Sequence, residues 1–148
     1  MLPFTVTLTS GESPYRQVVY AATRAVVAGE LPAGTQFPSV RDISQALKIN
    51  PNTAHKIVAE LVRGGILEVH PGVGTVVSSE WSGSPSDRRK LLGPELERLL
   101  VEAKRLGLRR EELVEAVDDR WTELFDGARV EADNPRPHIG PLKAAEGA

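Results

Sequence analysis

The 148 residues carry 18 Lys/Arg against 20 Asp/Glu, a formal net charge of -2, and 41% of them are apolar. That length suits one domain or one small domain with an appendage, and the apolar fraction supports a core of modest size. No cysteine is present, which excludes disulfides and thiolate chemistry, and no apolar run reaches the length of a membrane span or signal-peptide core, so a cytoplasmic protein is expected.

Charge is unevenly spread. Residues 1–79 hold six Lys/Arg and five Asp/Glu, residues 80–126 hold nine and twelve, and residues 127–148 hold three of each. The first part is the more basic, but only slightly, so charge alone does not argue for a polyanionic partner.

In chain order, Phe4-Thr5-Val6-Thr7-Leu8 alternates apolar and polar residues, the pattern of a short strand or extended arm. Ser13-Pro14 is an N-cap followed by a proline at the first helical position. The helix it opens carries Tyr15, Val18, Val19, Ala22, Val26 and Val27 at three- and four-residue spacing, and should stop near Gly29. Ser39 opens a second helix, with Asp42 as its capping-box partner and Val40, Ile43 and Leu47 as its buried face. The turn Ile49-Asn50-Pro51 separates it from a third helix that buries Ala54, Ile57, Val58, Leu61 and Val62 and ends at Gly64-Gly65. Ile66, Leu67 and Val69 suit a strand, Pro71-Gly72-Val73-Gly74 a hairpin tip, and Thr75, Val76 and Val77 the return strand. Helix, tight turn, helix and hairpin in that order describe a winged helix-turn-helix, which places its last helix in the DNA major groove.

Residues 80–87 are rich in Ser, Gly and Pro and are expected to form a linker. Beyond it, Leu92, Leu96, Leu99, Ala103 and Leu106 recur at alternating spacings of four and three, the seam of a helix that packs on another helix. Pro94 is assigned to the first turn of that helix, after Gly93, and Gly107 to its C-terminal cap. A last amphipathic helix places Leu113, Val117, Trp121 and Leu124 in register. From Gly127 on, the composition predicts a disordered tail. The expected fold is therefore mostly α (α+β): a winged helix-turn-helix over residues 1–79, a linker over 80–87, a helical dimerisation segment over 88–126 and a tail over 127–148.

On a helical wheel, Asn52, Lys56, Ala59 and Arg63 point away from the buried stripe of the third helix, with Thr53 and His55 on its flanks. The start of a recognition helix meets base edges. Asn52 can pair with adenine, Thr53 can bond a base or phosphate, Lys56 can reach guanine or the backbone, and His55 can add a further bond. Arg41 opens the second helix, where a guanidinium can hold a phosphate. Gly72 and Gly74 let the backbone of the wing approach a duplex closely. Each residue also has a plainer reading, as helix-start chemistry, turn geometry or ordinary surface charge. Their convergence on one side favours the interface.

The run PSVRDISQALKINPNTAHKIVAELVRGGILEVHPGVGTVV, with SPYRQVVYAATRAVVAGELPAGTQF before it, resembles the DNA-binding domain of GntR-family bacterial transcription regulators across residues 4–78. The Pro-Ser-x-Arg start, the Asn-Pro-Asn-Thr start and the Gly-x-Gly-Thr wing stand at the family's spacing. The two C-terminal helices resemble the YtrA subfamily, which lacks large effector domains. The resemblance implies that Arg41, Asn52, Thr53 and Gly72 touch DNA. It departs at His55, where family members usually carry a basic residue, often arginine.

Two short amphipathic helices cannot bury both of their stripes against each other alone. Leu92, Leu96, Leu99, Leu106, Val117, Trp121 and Leu124 are accordingly assigned to a homodimer contact; the plainer alternative folds these helices back over the winged domain. The expected function is sequence-specific regulation of transcription by a homodimeric repressor on an inverted-repeat operator in double-stranded DNA. The rival is a winged-helix module for protein or RNA contacts. No nucleophile–base constellation or phosphate loop suggests an enzyme. His55, His70 and His138 are too scattered for a metal, so no metal or cofactor is predicted, and no site for a small-molecule effector is legible.

Overall fold

Among the described residues, three helices end in the same kind of glycine cap. A computed structural model describes residues 1–81 and 83–127. α1 (Pro14–Val27), α2 (Val40–Leu47) and α3 (Pro51–Arg63) are followed by β1 (Leu67–His70) and β2 (Gly74–Val77). After α1 the amides of Gly29 and Glu30 bond back to Val26 and Ala25, and after α3 those of Gly65 and Ile66 bond back to Val62 and Leu61. Both are Schellman caps with glycine in the left-handed position, and each satisfies carbonyls the helix end leaves open. A third such cap comes later in the chain.

The helix starts are equally explicit. Ser39 Oγ accepts from the Asp42 amide at 3.1 Å while Asp42 Oδ2 accepts from the Ser39 amide at 3.3 Å, the expected capping box. Asn50 Oδ1 accepts from the Asn52 amide at 2.8 Å, with Pro51 at the first helical position. α1 opens on Ser13-Pro14 without a side-chain cap bond.

The core lies between the three helices and the base of the hairpin. Val18, Ala22, Ala25 and Val26 of α1, Ile43 of α2, and Ala54, Ile57 and Leu61 of α3 are buried together with Leu31, Phe37, Leu67 and Val77. Each large one among them contributes about 1.5–3 kcal/mol by leaving water. Residues 4–8 form an arm without strand pairing, and its Phe4 is buried in this core. The arm's far end is fastened where the Thr9 amide donates to Gln17 Oε1 at 2.8 Å.

β1 and β2 are antiparallel, with Leu67 opposite Val77 and His70 opposite Gly74. Sequence reading finds this hairpin but not the segment beside it. Gln36 bridges antiparallel to Val76, with Phe37 N donating to Thr75 O at 2.8 Å and Val77 N to Thr35 O at 2.9 Å. The stretch leading into α2 thus covers one edge of the hairpin.

The C-terminal segment begins earlier than expected. α4 (Pro85–Lys90) starts inside the stretch assigned to the linker, because Ser84 and Asp87 form a second capping box with Pro85 at the first helical position. Gly93 and Pro94 do not start a helix. They lie in a π-helical turn, Leu91–Glu95, that joins α4 to α5 (Leu96–Arg105). A wide turn of this kind absorbs the proline's missing amide hydrogen and its ring. Past α5, Gly107 N bonds to Lys104 O and Leu108 N to Ala103 O, the third Schellman cap. α6 (Arg110–Trp121) follows and runs into a π-helical turn, Thr122–Asp126. Its N-cap is Arg109, whose amide and Nε both donate to Glu112 Oε1. Of the expected disordered tail, residues 127–148, only Gly127 lies within the described residues.

Candidate nucleic-acid interface

The capping bonds decide which side chains are spare. The Asn50 cap aims α3 so that its buried stripe, Ala54, Ile57 and Leu61, faces the core. Asn52, His55 and Lys56 are then exposed and Thr53 is half-buried. Arg41, the second residue of α2, is exposed directly beside the Ser39–Asp42 box. Among the described residues, the side chains of Arg41, Asn52, His55 and Lys56 make no hydrogen bond or ion pair within the chain, so their bonding capacity is unspent. The C-terminal helices do not cover these residues.

Arg63 differs from these four. It lies on the same outward side of α3, but its Nε donates to Glu60 Oε2 at 2.8 Å and its Nη2 pairs with Glu60 Oε1. That hydrogen bond holds the Glu60 carboxyl below the ordinary carboxylate range and raises Arg63 in turn. Pairing removes Arg63 from the set of free cations on this face.

Two open clefts flank α3. One, of about 760 Å³, lies between α3 and the start of α1; Ser13, Tyr15, Thr53, Lys56 and Glu60 are among its lining residues. The other, of about 970 Å³, lies between the wing and the start of α2 and is lined by Gln36, Ser39, Asp42, Gln45, Val58 and the wing residues Val73–Thr75. Thr53 and Lys56 thus share one cleft, and Gly74 borders the other. Asn52, His55 and Arg41 stand on the exposed surfaces of their helices and line neither cleft, and Gly72 stands at the hairpin tip beyond both.

Gly72 and Gly74 have φ of +79° and +113°, which side chains with a Cβ rarely adopt, so the tip needs glycine for its shape alone. His70, at the end of β1, has its Nε2 3.1 Å from Glu68 Oε2. Sequence reasoning passes over Gln36, which lines the second cleft and hydrogen-bonds to the wing. No local pattern could have found it, because its partner is 37 residues away.

The seam residues form a second candidate surface. Leu92, Leu96, Leu99 and Leu106 are 38–61% exposed, Val117 and Trp121 are exposed by about half, and Leu124 is half-buried. Trp121 packs edge-on against Phe125 with ring centroids 4.9 Å apart. The winged domain does not cover this row, so the alternative of a helical hairpin folded over that domain is not what the chain adopts. Among the described residues no group of three or more His, Asp or Glu could hold a metal ion, and no helix is long and apolar enough to cross a membrane.

Known proteins share this organisation. Residues 14–77 match the family described as bacterial regulatory proteins, gntR family. The chain is 32% identical over 108 residues to the uncharacterized HTH-type transcriptional regulator YhcF of Bacillus subtilis, covering 73% of this chain and 89% of that one. It is 28% identical over 116 residues to the HTH-type transcriptional repressor YtrA of the same organism, covering 78% of this chain and 89% of YtrA. A transcriptional antiterminator from Listeria monocytogenes EGD-e has the same fold, with a TM-score of 0.72 at 24% identity over 90% of this chain and 97% of that one. These relatives are regulators, not enzymes. The winged domain, its spare polar face and these relatives together place the chain in the GntR family of bacterial regulatory proteins, as a YtrA-like DNA-binding transcription regulator.

Proposed function

We propose that this regulator is a homodimeric, sequence-specific repressor that acts in the cytoplasm and binds an inverted-repeat operator. The observation that carries the reading is the row Asn52, His55 and Lys56: exposed, unpaired and on the outer side of a helix whose inner side is fully buried. Asn52 and His55 offer donors and acceptors to base edges, with Thr53 beside them. Lys56 and Arg41 supply phosphate contacts that fix register, and the Gly72–Gly74 tip lies where the backbone can approach an adjacent groove. The similarity to a repressor, YtrA, over most of both chains supports the direction of regulation.

The dimer follows from the C-terminal seam. Exposed leucines at regular helical spacing are costly in a soluble monomer, and a second copy of the same stripe is the simplest cover. Two copies related by a twofold axis present two recognition helices, which calls for half-sites one helical turn, about 10 base pairs, or a multiple apart.

Selection from a random duplex pool, followed by footprinting, tests the reading. The expected product is an inverted repeat with that spacing, bound with an affinity that falls steeply with salt. An unenriched pool and a salt slope near zero would instead favour the protein- or RNA-binding module. In parallel, Leu96→Lys with Leu99→Lys should shift the sedimenting species from dimer to monomer and weaken operator binding; an unchanged species would remove the seam from the interface.

A further inference from the structure

We infer that Gln36 is a positioning residue for the wing, holding the glycine tip in its DNA-ready shape before any duplex arrives. The inference rests on the proposal that the wing contacts DNA.

Gln36 is not among the contact residues that the sequence singles out, yet the structure ties both its backbone and its side chain to the hairpin. Its backbone bridges Val76 of β2, and the flanking bonds Phe37 N to Thr75 O and Val77 N to Thr35 O leave its segment little freedom. From that anchored position its Nε2 donates to the carbonyl oxygen of Val73 at 2.9 Å. Val73 stands between the two glycines of the tip. Gly74, at φ of +113°, lies directly against the carboxamide: a Cβ built on it would come 3.6 Å from Gln36 Nε2.

The tip has little else to hold it. Within the hairpin turn, Val73 N bonds to His70 O at 3.0 Å. Gly72, Val73 and Gly74 are all exposed, so no burial fixes them. Among the described residues, the Gln36 carboxamide is the only side chain from outside the hairpin that hydrogen-bonds to the tip. The base of the hairpin is buried, but its tip extends beyond that burial. A loop that must be ordered on binding loses affinity to the entropy of that ordering, whereas one ordered beforehand does not. One hydrogen bond at the crown of the turn is enough to matter, because the exposed tip has few other bonds to hold it.

Gln36 also lines the cleft between the wing and α2. It shares that cleft with Val73 and Gly74 of the wing and with the α2 cap residues Ser39 and Asp42.

The test compares Gln36→Met, similar in length and uncharged but without a donor, with Gln36→Lys, which keeps an N–H donor. Backbone amide relaxation of Gly72, Val73 and Gly74 reports tip order without DNA, and titration with a selected operator duplex reports affinity. The Met variant should show disordered tip amides, unchanged core amides and about two- to tenfold weaker operator binding, as expected for loss of one hydrogen bond. The Lys variant should restore tip order. Tip amides as ordered in Gln36→Met as in the wild type would overturn the inference. Wild-type protein that binds no duplex, while tip order still follows the donor at position 36, would sink the DNA reading and leave Gln36 as the tether of the tip.

Discussion

Phe4 and Phe37 stack with ring centroids 5.6 Å apart and planes 11° from parallel. Both are buried, and between them they join the N-terminal arm to the segment that enters α2 and flanks the wing. The pair therefore belongs to the scaffold that sets the height of the wing against the helices.

Removing one ring leaves a hole in a small core. Phe4→Ala should cost about 3 kcal/mol by lost transfer energy and cavity formation. Urea denaturation followed by circular dichroism measures it. A loss under about 1 kcal/mol, well short of a core-cavity cost, would mean that the arm is not part of the cooperative unit.

The two ends of the α2–α3 turn should respond in opposite directions. Lys48 ends α2 at φ of +54°, in the conformation that glycine takes after α1, α3 and α5. A left-handed residue with a Cβ costs roughly 1–2 kcal/mol, and glycine's extra freedom in the unfolded chain costs roughly 0.5–1. Relief of strain outweighs the added freedom, so Lys48→Gly should stabilise by about 0.5–1 kcal/mol. Asn50→Ala removes the α3 cap and should destabilise by ~1 kcal/mol. Paired thermal melts decide both signs.

Acid should loosen the start of α4 before the core. Hydrogen bonds from the Ser84 side chain and backbone, with help from Lys90, hold the Asp87 carboxyl below its ordinary value. A group depressed in the folded state stabilises it fully above the unfolded value, ~3.9 for Asp, and loses that contribution as pH falls through the lowered folded value. Carbon chemical shifts of Asp87 and Pro85–Lys90 should therefore titrate together in that acid window. Asp87→Asn should abolish the coupled change, and a titration of Asp87 that leaves the helical shifts unmoved would contradict it.

These contrasts separate what is legible in the sequence from what is not. Local chemistry is readable: the Ser39–Asp42 box and the Asn50-Pro51 start appear as expected, and the apolar stripes of α1, α2 and α3 face the core, though Val40, Leu47, Val58 and Val62 are only half-buried. The start of α4 is hidden because Ser84, Pro85 and Asp87 are at once linker composition and a helix cap, and only the three-residue spacing separates the two. Pro94 reads as a first-turn proline because a proline within a helix is normally disruptive, and the π-helical turn that accommodates it has no sequence signature. Lys48 in a left-handed cap and Gln36 on the wing are not legible at all. One is strain that the surrounding turn imposes, and the other is a contact across 37 positions.

The most direct measurement repeats the duplex selection with Asn52→Ala. If α3 reads bases through its exposed row, the variant keeps its fold and half-site spacing but loses preference at one symmetric pair of positions, at a cost of about 1–3 kcal/mol on the original operator. A consensus and affinity identical to those of the unsubstituted chain would contradict that account.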